Sequence, residues 1–92
     1  METFSNGIPR PYPGMLMKYG GRAPVVISSV SSGSVLGYRL KGRPKIESLC
    51  STESQWCILW AIRKGRIIQE SDLTPQSKMN LDEIKGRVVK FD

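Results

Sequence analysis

Gln55-Trp56-Cys57-Ile58-Leu59-Trp60-Ala61-Ile62-Arg63-Lys64-Gly65-Arg66 is the stretch on which the reading of the fold turns. Its apolar residues run without a break from Trp56 to Ile62. Ahead of them, Thr52-x-x-Gln55 has the form of a capping box, and Gly65 could end a helix of about three turns. Against a helix, apolar residues fill every position instead of one stripe. Lys64-Gly65 also suits the centre of a tight hairpin turn, with Ile67-Ile68-Gln69 returning as a strand. A short unbroken apolar run closed by a turn signal is typical of a core strand. A hairpin is therefore expected here, with the helix as its alternative.

Upstream, Gly14-Met15-Leu16-Met17-Lys18-Tyr19 reads as a short strand closed by Gly20-Gly21. Ala23 to Val30 follows, rich in β-branched residues, with Pro24 at its start where a missing donor is tolerated. After the turn cluster Ser31-Ser32-Gly33-Ser34, the segment Val35 to Leu40 alternates Leu36, Tyr38 and Leu40 against Val35, Gly37 and Arg39. Strands at this spacing, separated by Gly and Ser turns, argue for an antiparallel meander. Glu47 to Gln55 reads as a polar connection. Downstream, Thr74 can cap a helix with Pro75 in its first position, Gln76 to Lys85 as its body and Gly86 as its stop. Asn80-x-x-Glu83 offers a competing, shorter start. Arg87-Val88-Val89-Lys90-Phe91 reads as a final edge strand. Residues 1–13, with Pro9, Pro11 and Pro13, read as a polyproline-like arm with little hydrogen bonding of its own.

Ninety-two residues make one small domain, near the lower end of what a single core can support. Trp56 and Trp60 must supply much of that core. The net charge is +6, and its placement is uneven. From Thr3 to Ile46 there are seven Lys or Arg and no Asp or Glu; from Glu47 to Asp92 there are seven of each, which cancel. Such asymmetry is the electrostatic footprint of a polyanion partner. No apolar run approaches the roughly 18 residues of a membrane span. The N-terminus lacks the basic and apolar regions of a secretion signal. A cytoplasmic protein is expected, or a nuclear one in a eukaryote, with no membrane partner.

Within the acid-free half, Tyr38-Arg39-Leu40-Lys41-Gly42-Arg43-Pro44-Lys45 places a cation at every second position. In an extended backbone Arg39, Lys41, Arg43 and Lys45 would all project from one face. Lys18, Arg22 and Arg10 would assist them, and Tyr38 or Tyr19 could stack on an exposed base of a single strand. Cys50 and Cys57 match no zinc spacing, and the chain has no histidine. Cys57, inside the apolar run, reads as a small core residue. Without histidine the commonest acid–base group is missing, and Asp82-Glu83 point apart on either a helix or a strand. Gly20-Gly21 lacks the spacing of a phosphate-cradling loop. The chain does not read as an enzyme, and no cofactor, metal or small-molecule substrate is expected.

Five short strands ending in Glu70-Ser71-Asp72-Leu73-Thr74-Pro75 resemble an SH3-like small antiparallel β-barrel. The Gly-start strand, Gly-Gly turn and Val-rich strand are similar to those of KOW-like and Tudor-like barrels and of small bacterial or phage proteins of that shape. The resemblance covers residues 14–75. It implies a mainly β fold with a barrel over 14–75, to which the residues add the arm (1–13) and a short C-terminal helix with an edge strand (76–92). Lys41-Gly42-Arg43-Pro44-Lys45 also resembles the core of an AT-hook. That likeness implies Arg43 in the minor groove of A·T-rich DNA, with Lys41 and Lys45 on phosphates.

The expected function is that of a small basic nucleic-acid-binding domain, duplex DNA favoured, acting through phosphate contacts from Arg39, Lys41, Arg43 and Lys45. The alternative is a protein–protein module, such as a phage or mobile-element adaptor or an inhibitor of a host factor, docking on an acidic surface.

Overall fold

Residues 2–86 are described by the structure, a computed structural model. The chain forms five antiparallel strands and two α-helices in the order β1 (Leu16–Tyr19), β2 (Val25–Ser31), β3 (Ser34–Arg39), β4 (Ile46–Cys50), α1 (Glu53–Ile62), β5 (Gly65–Ile67) and α2 (Pro75–Gly86). A short 3-10 turn, Glu70–Asp72, separates β5 from α2. The strands make one sheet in the order β4-β3-β2-β1-β5. The mainly β, antiparallel expectation holds at this level. Among the described residues the sheet stays open, with β4 and β5 at its two edges.

Strand count survives although one strand is exchanged. Trp56 to Ile62 is helical, not a hairpin arm, and the fourth strand is Ile46–Cys50, which takes up the first half of the expected connection. The helix is fixed at its start by local chemistry. The Thr52 hydroxyl accepts from the Gln55 backbone N–H at 3.0 Å, and the Gln55 side chain accepts from the Ser51 N–H at 2.7 Å. Trp56 and Trp60 bury one face of the helix, leaving Ile58 and Ile62 56 % and 71 % exposed. Positions 56 and 60 share a face in both a strand and a helix, so sequence spacing could not separate the two.

The inner strands β1 and β2 are apolar on both sides because a helix covers each face. Met15, Met17, Tyr19, Val25 and Ile27 join Trp56 and Trp60 of α1 in one cluster. Their alternates Leu16 and Val26 join Leu40, Ile68, and Leu81 and Ile84 of α2 in a second. Two clusters on opposite faces of an open sheet differ from the single interior of a barrel. Cys50 is the buried cysteine and Cys57 is half-buried, and both are free thiols. Burial pushes the Cys50 thiol above its ordinary value.

Helix α2 begins where expected. Thr74 accepts through its hydroxyl from the Ser77 N–H at 3.2 Å, with Pro75 in the first helical position. The Ser77 hydroxyl donates to the Leu40 carbonyl at 3.0 Å, tying the helix start to the end of β3. The expected edge strand Arg87 to Phe91 lies outside the described residues.

The N-terminal arm makes more hydrogen bonds than its prolines suggest. Phe4 N–H donates to the Ile8 carbonyl at 2.8 Å, and Gly7 N–H to Phe4 at 2.9 Å. Trp56 Nε1 donates to the Pro9 carbonyl at 3.0 Å, docking the arm on α1. No helix among the described residues is long and apolar enough to cross a membrane.

Candidate nucleic-acid interface

Strand pairing decides where the cations meet. Tyr19 faces Gly65, Val25 faces Arg39, and Tyr38 faces Ile46. The β1–β2 turn, the β3–β4 loop and the α1–β5 connection therefore emerge at the same end of the sheet. That end carries Arg22, Arg39, Lys41, Arg43, Lys45, Arg63, Lys64 and Arg66, against one carboxylate on the same strand ends and connections, Glu47. Glu53 and Glu70 lie at the opposite end. A glycine Cβ at Gly33, in the β2–β3 turn, would touch Glu53, and Glu70 shares a cleft with Gly14 and Leu16.

The expected straight row of four cations is broken. β3 stops at Arg39, the chain bends over residues 41–43, and Gly42 takes a left-handed φ of 63°. Pro44 is buried, and Ile46 resumes the strand. Alternation of side chains therefore ends at Arg39, because the loop has to reverse the chain into β4. Arg39 donates to the Glu47 carboxylate at 3.0 Å across the β3–β4 pair. Lys41, Arg43 and Lys45 are exposed and have no carboxylate partner among the described residues.

The other expected contributors are divided. Arg22 joins Arg39 at the cationic end. Lys18 is half-buried and shares the sheet face that carries Leu16 and α2 with its exposed cross-strand partner Arg66, one residue in from the cationic end. Arg10 sits at the far end, ion-paired to Glu53 at 3.1 Å and stacked over Phe4 at 4.2 Å. Tyr38 is half-buried against the α2-side cluster. Tyr19 is 7 % exposed, so its ring is not a stacking platform.

Arg63, Lys64 and Arg66 were missed as contributors because they belong to the half of the chain whose charges cancel. Their signal is the basic run Arg63-Lys64-Gly65-Arg66, whose Lys64-Gly65 centre reads as a turn. Arg63 is the C-cap of α1, and Lys64 takes the left-handed φ of 52° that turns the helix into β5.

Between β2, β3, β4 and the end of α1 lies a hollow of about 90 Å³ lined by Tyr19, Arg22, Ala23, Val25, Arg39, Glu47, Ser48, Leu49 and Arg63. The Arg63 guanidinium stands 5.8 Å from the Tyr19 ring centre, within cation–π range. The buried Tyr19 hydroxyl has no hydrogen-bond partner among the described residues.

No group of three or more metal-ligating side chains occurs among the described residues. The fold and site thus define a small sheet protein, covered by a helix on each face, with its positive charge gathered at one end. No family model, curated protein or solved structure matches the chain.

Proposed function

We propose that this protein binds nucleic acid, duplex DNA foremost, through the cationic end of its sheet. The supporting observation is the convergence of three separate basic segments on one end, with a single carboxylate among them. Phosphate contacts from Lys41, Arg43, Lys45 and Lys64 supply affinity and carry little sequence information. Burial of Pro44 favours such surface contacts over threading Lys41 to Lys45 deep into a minor groove, as an AT-hook does. The strand order β4-β3-β2-β1-β5 also supports an SH3-like meander, left open between its edge strands β4 and β5.

Fluorescence anisotropy with duplex DNA, single-stranded DNA and RNA at two salt concentrations tests this reading. Duplex binding falls steeply as salt rises, and Arg43→Ala weakens it by about 1–3 kcal/mol if Arg43 meets a base, and by less if it meets phosphate alone. Equal binding at low and high salt rules the mechanism out. Exposed Ile58 and Ile62, one turn apart on α1, favour a second reading as a protein-docking module. Absence of nucleic-acid binding at low salt selects it.

A further inference from the structure

The hollow beside Tyr19 has the charge and size of a single-phosphate site. Three arginines line it from three different elements: Arg22 from the β1–β2 turn, Arg39 from the end of β3, and Arg63 from the end of α1. Glu47 engages Arg39, while Arg22 and Arg63 have no carboxylate partner among the described residues. The unbalanced charge is therefore about +2. Like charges converging on a hollow repel one another unless an anion lies between them.

Size narrows the anion. The hollow is small, about 90 Å³. That room admits one tetrahedral oxyanion. Shape and charge narrow it further. A phosphodiester continues in two directions and carries one negative charge, which suits a ridge. A monoester has one link and a charge near −2, which suits a recess with two uncompensated arginines.

We propose that this hollow takes a phosphomonoester, the terminal phosphate of a nucleic-acid strand; this rests on the nucleic-acid reading above. The strand leading away from it crosses the loop of Lys41, Arg43 and Lys45, which starts one residue after Arg39.

The test uses the full chain and three duplexes of one sequence, ending in a 5′-phosphate, a 3′-phosphate, or hydroxyls only, measured by anisotropy. A phosphate-ended duplex is expected to bind about tenfold tighter than the hydroxyl-ended one, the scale of one charge-assisted hydrogen bond. Arg22→Gln and Arg63→Gln erase that advantage, whereas Arg43→Ala weakens all three duplexes alike. Glu47→Gln widens the advantage, a gain that misfolding could not produce. Inorganic phosphate at millimolar concentration removes it.

Equal binding of phosphate-ended and hydroxyl-ended duplexes overturns the proposal while leaving the nucleic-acid reading intact. The same holds for an advantage that survives both arginine substitutions. If inorganic phosphate shifts the Arg22 and Arg63 side-chain resonances while the duplex ends remain indistinguishable, the occupant is free phosphate and the terminal-phosphate assignment fails. Failure of every duplex to bind at low salt overturns both readings together.

Discussion

Tyr19 shows how a single side chain departs from its sequence-level reading. Beside Lys18 and before Gly20-Gly21 it reads as an exposed strand-end aromatic. In the fold it lies edge-on to Trp60, with ring centroids 6.2 Å apart. That position follows from α1, which was read as a strand, so no local signal could place the ring in a core. Burial pushes its phenol up to about 12 from an ordinary 10.0, with Cys50 adding to the rise and Arg63 opposing it. The native phenol keeps its proton where the unfolded one has lost it. Its stability contribution is therefore full below about pH 10 and falls away between about pH 10 and 12. At about 1.4 kcal/mol per pH unit the expected loss is about 2–3 kcal/mol. Tyr19→Phe removes this alkaline loss, and at neutral pH it also removes an unpaired buried hydroxyl, so stability there is unchanged or higher. Guanidinium unfolding at about pH 9 and about pH 11.5 measures both effects. An equal alkaline loss in Tyr19→Phe assigns the effect to another group.

At the scale of elements, legibility followed periodicity. β2 and β3 carry β-branched or alternating sequences, β1 is a short apolar run closed by Gly20-Gly21, and each lies within two residues of its expected ends. β4 was not, because an edge strand of Ile46, Glu47, Ser48, Leu49 and Cys50 has weak strand propensity and is specified by pairing with β3. α1 was misread because its exposed face is as apolar as its buried one. Gly65 joins these elements and has a role beyond a turn. A Cβ there would lie 2.7 and 2.8 Å from Cε3 and Cε2 of Trp60. Trp60 is held against Trp56 with ring centroids 5.4 Å apart, so it has little room to move aside. Gly65→Ala should therefore cost about 1–3 kcal/mol, the usual cost of overpacking. Gly21→Ala, where a Cβ meets nothing within 4 Å, serves as the control. Its expected change is within about 0.5 kcal/mol. Urea midpoints at unchanged slope report the difference.

For the whole molecule, summing charge along the chain found the polarity but not its extent. Arg63, Lys64 and Arg66 are offset in sequence by acids such as Glu53 and Glu70, yet folding carries those acids to the other end of the sheet. Arg10 moves the opposite way, leaving the acid-free half to pair with Glu53. Contribution to polyanion binding should therefore follow position in the fold and not position in the sequence. An end of five strands at about 4.8 Å spacing is about 19 Å wide. At about 3.4 Å per phosphate along one strand, it faces on the order of five phosphates. If three to five of them are neutralised, log K for duplex DNA falls against log salt with a slope between about −3 and −5. Lys64→Gln should make that slope shallower by about one, although Lys64 lies in the half whose charges sum to zero. Arg10→Gln should leave it unchanged, although Arg10 lies in the acid-free half. A salt titration of the two variants beside the unsubstituted protein decides between fold and sequence order. If Arg10→Gln lowers the slope and Lys64→Gln does not, the N-terminal arm is the contact surface and the cationic end of the sheet is not.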